Sequence, residues 1–183
     1  MPTAATRPSI GARVNHLVLN VRDIDVAHRF YTEILGFEQC GTLEPARAVM
    51  RFYRGSPTQH HDLALVEVPG GATLPEPDRW SMMAKSVGLN HIAIAYSDRD
   101  SWLSQLAHMQ ANSIEFIVRG NHGMTHSAYV ADPDGHGIEV LYELPAEVWE
   151  GDVNAALSYF EPLPATGPES LADDVDYHRF VKA

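Results

Sequence analysis

The stretch NHLVLNVRDID, beginning at Asn15, returns as NHIAIAYSDRD beginning at Asn90, an offset of 75 residues (90 − 15). Self-similarity of this kind constrains a fold strongly, because each copy must build the same supersecondary unit and bury an apolar face against its neighbour. In the first copy Leu17, Leu19 and Val21 alternate with Val14, His16, Val18 and Asn20, the two-residue period of a strand. Asp23 can cap a helix in which Val26, Phe30 and Ile34 form an apolar stripe, with His28, Arg29, Thr32 and Glu33 left to solvent and Gly36 as the stop. FEQCGTL, ARAVMRFYR and HDLALVEV then read as strands, separated by Pro45 and by GSPTQ. From Leu89 the order repeats. LNHIAIAY is a strand, Ser97 or Asp98 opens a helix carrying Trp102, Leu106 and Met109 on one side, and IEFIV, HSAYVAD and GIEVLYE are strands, with DPDG at 132–135 a tight turn. The expected architecture is α+β: two β-α-β-β-β modules paired into a curved mixed sheet. The expected boundaries are an arm at 1–12, modules at 13–69 and 89–143, a Pro- and Gly-rich connector at 70–88, and an acidic extension at 144–183.

Bulk properties narrow the function. A 45% hydrophobic content over 183 residues is that of a chain with an ordinary core. Net charge is −11, which disfavours nucleic acid or an anionic membrane as partner, since a phosphate surface needs a basic footprint. Much of the acid lies beyond Leu144, where Glu147, Glu150, Asp152, Glu161, Glu169, Asp173, Asp174 and Asp176 face only Arg179 and Lys182. That extension can fold over a pocket, pack on a partner subunit or stay mobile. The single cysteine, Cys40, excludes an internal disulfide, and neither an apolar run near 18 residues nor a basic-then-apolar amino terminus is written, so a cytoplasmic location is expected.

Candidate chemistry follows from the repeat. His16 and His91 open the first strand of each unit, on the parity that points away from the helix. Glu139 shares its face of the last strand with Gly137 and Leu141, and His61 is expected on the corresponding strand of the first unit (61 − 16 = 45; 139 − 91 = 48). Packing about a pseudo-twofold axis brings these positions to one concave surface. Two histidines and one carboxylate make an open three-ligand site suited to Fe(II) or Mn(II), with coordination positions left for a chelating substrate and dioxygen. The plainer reading of the histidines is hydrogen bonding within a half-buried sheet. His60, next to His61, is expected on the opposite side of the strand, and Trp80, Met82 and Met83 are expected as core, dimer contact or substrate wall.

In NHLVLNVRDIDVAHRFYTEILGF, HHDLAL, GLNHIAIAY, NHGMTHSAY and DPDGHGIEV, the chain resembles the vicinal oxygen chelate superfamily, and within it the small type I extradiol ring-cleavage dioxygenases similar to catechol 2,3-dioxygenases. The resemblance spans roughly residues 13–143. It implies that His16, His91 and Glu139 bind Fe(II), that His61 is the acid/base, that Tyr129 hydrogen-bonds the substrate, and that His122 is a supporting histidine. It further implies a small aromatic diol and O2 as substrates. Family members place that supporting histidine about nine residues before the tyrosine, whereas here the gap is seven (129 − 122). Two other branches of the superfamily are rivals: glyoxalase-type lyases or isomerases using Ni or Zn with four protein ligands, and binding proteins that sequester drugs. Pseudo-symmetry would also suit His61 as a fourth ligand, but the glyoxalase branch uses a carboxylate there, and a histidine in its place counts against the former. Self-association to cover sheet edges is also expected.

Overall fold

The structure, a computed structural model, describes residues 13–43, 49–83, 87–174 and 176–182. The expected amino-terminal arm, Pro45 and the start of ARAVMRFYR lie outside these residues. In chain order the first unit contains β1 (Leu17–Val21), α1 (Ile24–Arg29), β2 (Glu38–Leu43), β3 (Met50–Arg54) and β4 (Leu63–Glu67). The second contains β5 (His91–Tyr96), α2 (Arg99–Ala111), β6 (Val118–Asn121), β7 (Thr125–Ala131) and β8 (Gly137–Glu143). After these come the short helices α3 (Ala146–Trp149) and α4 (Val153–Leu157) and the two-residue β9 (Glu161–Pro162). Among the described residues, no helix is long and apolar enough to cross a membrane.

The sequence repeat is a structural repeat. One sheet runs β1-β4-β3-β2 and the other β5-β8-β7-β6-β9, so each unit places its first strand parallel to its last and antiparallel pairs beyond. The α+β architecture is therefore carried by two mixed sheets rather than one curved one. Each of β1 and β5 spends one edge on β4 or β8, and between them lies a cleft of about 670 Å³ lined by Val14 to Leu17 on one side and Ile92 to Tyr96 on the other.

Local chemistry explains most of the elements. Asp23 accepts from the backbone N–H groups of Asp25 and Val26, and Asp98 from that of Ser101, so both helices open on an aspartate cap. Trp102, Leu106 and Met109 are fully buried as their spacing requires. The first helix departs from its expected stripe. Val26 remains 38% exposed, while Ile24, Ala27, Phe30, Tyr31 and Leu35 are buried. Ile24, Ala27 and Tyr31 follow the i, i+3, i+7 spacing of a single helix face on which Val26 does not lie, and a π turn over Phe30–Ile34, closed by Leu35 N–H donating to the Phe30 carbonyl at 3.0 Å, carries the chain on to buried Leu35. Gly36 then stops the helix with φ +81°. The carbonyls that this helix end leaves free are taken by the second unit: His108 contacts Glu33 O, Gln105 donates to Ile34 O and Tyr96 to Leu35 O. Tyr31 also donates to Asp132 at 2.9 Å, tying the first helix to the DPDG turn. His28, expected in solvent, is instead half-buried with Nδ1 3.1 Å from the Tyr53 hydroxyl. IEFIV is not a strand over its length. β6 begins only at Val118, because Ser113 at φ 61° reverses the chain and Phe116 is used to fill the core.

The acidic extension folds back on the second unit. β9 pairs with β6, Phe180 is buried, and the fully buried Asp173 carboxylate receives Arg99 Nε at 3.1 Å, the Tyr142 hydroxyl at 2.6 Å and His126 Nδ1 at 2.6 Å. Burial alone would raise this carboxyl, but the hydrogen bonds from His126 and Tyr142 and the nearby Arg99 hold it below its ordinary value. A depressed folded-state value means that the stabilisation is fully present above the unfolded carboxylate range, about 3.9, and is lost as pH falls through the lower folded value. Asp173→Ala leaves those donors buried without their acceptor and should lower stability by about 3 kcal/mol at neutral pH. In hydrogen exchange by mass spectrometry, residues 144–182 should lose protection first, and unchanged protection there would refute the latch.

Candidate metal centre

The second unit gathers four of the six expected site residues. Glu139, buried in the middle of β8, directs Oε2 to His91 Nε2 at 3.0 Å and accepts the Tyr129 hydroxyl on Oε1 at 2.8 Å. His122 Nε2 lies 3.0 Å from the same hydroxyl, so a relay runs from His122 through Tyr129 to Glu139. The seven-residue gap does not keep the two apart: His122 stands at the β6–β7 turn, where its backbone N–H bonds Thr125 O, and its ring folds back over Tyr129. Burial lowers the His122 pKa, favouring the neutral ring, and raises that of Tyr129, with the Glu139 charge adding to the effect, so the phenol stays protonated.

His91 has oxygen at both ring nitrogens. Asn90 Oδ1 sits 2.7 Å from Nδ1, an orientation fixed by Asn90 Nδ2 donating to Met82 O at 3.0 Å, and Glu139 Oε2 faces Nε2. A neutral imidazole has one proton to give. A divalent cation, if bound, would be held by this nitrogen and this carboxylate oxygen. The donor pair thus fits a divalent ion of the kind bound by imidazole and carboxylate.

His16 and His61 form a second grouping in the first unit, ring centroids 4.5 Å apart, with Phe52 edge-on to His61 at 5.2 Å. Among the described residues, no three His, Cys, Asp or Glu side chains converge closely enough to hold a metal ion. His16 instead lines the cleft whose far wall includes Ala93 and Ala95, the small residues that continue the His91 face of β5.

Two expectations about His61 are corrected. It precedes β4 instead of lying in it, so strand alternation does not govern it, and His60 Nδ1 contacts His61 Nδ1 at 2.6 Å instead of facing away. It is also not the counterpart of Glu139. Ala93 pairs with Glu139 and Val18 with Ala64, so the residue related to Glu139 by the repeat is Ala64 (139 − 91 = 64 − 16 = 48), which offers no donor. Partial desolvation, followed by the charges of His60 and His16, lowers the His61 pKa.

Trp80, from the connector, closes the grouping of His91, Tyr129 and Glu139. Its ring stacks on Tyr129 at 5.7 Å and 6° and meets His91 edge-on at 6.3 Å, while its Nε1–H donates to Asn90 O at 2.6 Å. Gly137 makes this possible, since any Cβ there would run into the indole. Sequence reasoning placed Trp80 only loosely, because a connector without periodicity does not reveal where it docks. It gave no role to Asn15 or Asn90, although both stand in the repeated NH dipeptide.

A family model described as Glyoxalase/Bleomycin resistance protein/Dioxygenase superfamily matches residues 13–140. The chain is 28% identical to a catechol-2,3-dioxygenase of Bacillus subtilis over 91% of its own length, but spans only 53% of that protein, about half. It is also 28% identical to a probable lactoylglutathione lyase of Vibrio parahaemolyticus over 70% of its length and 89% of the relative's. A crystal structure of a glyoxylase/bleomycin resistance protein/dioxygenase domain from Frankia sp. superposes with a TM-score of 0.60 at 20% identity, covering 73% of this chain and 98% of that one.

Proposed function

Since the chain belongs to the Glyoxalase/Bleomycin resistance protein/Dioxygenase superfamily, we propose that it is an extradiol dioxygenase, cleaving the ring of a catechol-type substrate with O2 at a mononuclear Fe(II). The observation that carries this reading is the pairing of His91 Nε2 with a Glu139 carboxylate whose other oxygen is already committed to Tyr129, while the counterpart of Glu139 in the first unit is Ala64. A four-ligand site of the glyoxalase kind needs a donor at or near that counterpart. Three protein ligands leave room for a chelating diol and O2.

Members of this family bind divalent metals. His91 and Glu139 would hold the ion here, with His16 as third ligand from across the β1–β5 cleft. An iron(II) ion held there would supply Lewis acidity toward the diol and a binding place for O2. The other residues act on the substrate. His61, neutral near working pH because its pKa is depressed, takes a hydroxyl proton and returns it to the product. Tyr129, kept protonated, presents a phenolic oxygen beside the ring, and His122 steadies it. Trp80 and Phe52 provide flat apolar walls that orient an aromatic substrate and exclude water.

Protein purified without air, loaded with Fe(II) and given catechol should turn yellow as the ring-opened semialdehyde forms, with O2 uptake matching ring loss. Turnover of a glutathione hemithioacetal under Ni(II) or Zn(II), with no reaction of catechols, would replace this reading with the lyase one.

A further inference from the structure

The repeated NH dipeptide makes the same contact twice. Asn15 Oδ1 lies 2.8 Å from His16 Nδ1, and Asn90 Oδ1 lies 2.7 Å from His91 Nδ1. Neighbouring side chains in a strand point to opposite faces, so adjacent residues meet only where the strand has not fully begun. Both pairs sit at such a place: Asn15 and His16 precede β1, and Asn90 precedes β5, which opens at His91. At Asn90 the amide cannot turn its NH2 to the ring, because Nδ2 donates to Met82 O at 3.0 Å. An amide oxygen facing Nδ1 requires that nitrogen to carry a proton, and this leaves the Nε2 lone pair of a neutral ring free.

We propose that Asn15 and Asn90 are positioning residues that lock His16 and His91 in the Nδ1–H tautomer, aiming both Nε2 lone pairs at the metal. The free imidazole side chain favours the opposite tautomer, so without the amide a ring must change tautomer before it can coordinate through Nε2. An oxygen acceptor on the far nitrogen also fixes the ring plane and raises the basicity of the ligating one. Two halves that share little other side-chain chemistry at the site share this device. The inference rests on the metal reading above for its purpose, while the lock itself is a property of the metal-free protein.

Long-range proton–nitrogen correlation spectra of protein labelled with 15N-histidine report which ring nitrogens are protonated, without any turnover. In the metal-free wild type, Nδ1 of His16 and His91 should be protonated. Asn15→Ala should move the His16 proton to Nε2, and Asn90→Ala should bare His91 Nδ1. Co(II) affinity, read from its visible absorption, should fall about 10- to 100-fold in each alanine variant. Asn15→Asp, which keeps the acceptor, should restore both signals. Near-UV circular dichroism checks the fold, and because Asn15 is exposed its variants are the safer pair. A bare Nδ1 on either ring in the wild type, or Co(II) affinity unchanged in both alanine variants, would overturn the lock. Protonated Nδ1 on both rings in a wild type that binds no Co(II), Fe(II) or Zn(II) would instead overturn the metal reading, and with it the purpose given to the lock.

Discussion

Glu139→Gln should come out of purification without iron and cleave catechol about a thousandfold or more slowly, because metal contributes several kcal/mol to such reactions and tenfold in rate is about 1.4 kcal/mol. The substitution is chosen to isolate charge. Glutamine has nearly the same shape and keeps a carbonyl oxygen for the Tyr129 hydroxyl, which Glu139 now accepts at 2.8 Å, so the buried face of β8 has no cavity to absorb. What it lacks is the anionic oxygen opposite His91 Nε2. Elemental analysis and O2 uptake are the measurements, with thermal unfolding as the control for folding. Full iron occupancy with near-normal turnover would remove Glu139 from the ligand set, and the proposed chemistry with it.

His61→Ala should behave differently, retaining iron while losing about 10²- to 10⁴-fold in turnover, the range spanned by a positioned acid/base. The pH dependence carries a sign. His61 serves as a base only when neutral, and partial desolvation, with His60 and His16 beside it, lowers its pKa from the ordinary 6.5. Activity should therefore hold down to a pH below that ordinary value and fall only as His61 gains its proton. In the alanine variant this acidic limb should disappear from the kcat/KM profile. Loss of iron in His61→Ala would make His61 a ligand, and an acidic limb identical in both proteins would assign it to another group.

These two experiments separate residues that the sequence presents together. His61 and Glu139 both looked like members of last strands at related spacing. Only the register distinguishes them, since β4 begins at Leu63 and the partner of Val18 is Ala64. The two units are spaced alike, 48 residues from the histidine to the counterpart position (64 − 16; 139 − 91), so His61, at 45, falls three residues short and sits in the loop ahead of β4 instead of on the face of the sheet. The π turn in the first helix is a similar case. Val26, Phe30 and Ile34 satisfy an i, i+4 pattern, yet the buried face is the i, i+3, i+7 one of Ile24, Ala27 and Tyr31, continued through the π turn to Leu35, and Val26 stays at the surface.

Local, periodic features were readable from the chain alone. The duplicated unit, the aspartate caps, the α2 face of Trp102, Leu106 and Met109, and the strand Gly137–Glu143 all follow from spacing and from which side chains hydrogen-bond their own backbone. The contact of His91 with Glu139 is set by the parallel β5–β8 register, which spacing along the chain does not fix. Tertiary structure decided what depends on distant segments meeting: Trp80 over Gly137 and Asp173 beneath Tyr142. Such contacts are selected by shape and by unsatisfied buried donors. Neither leaves a period in the sequence.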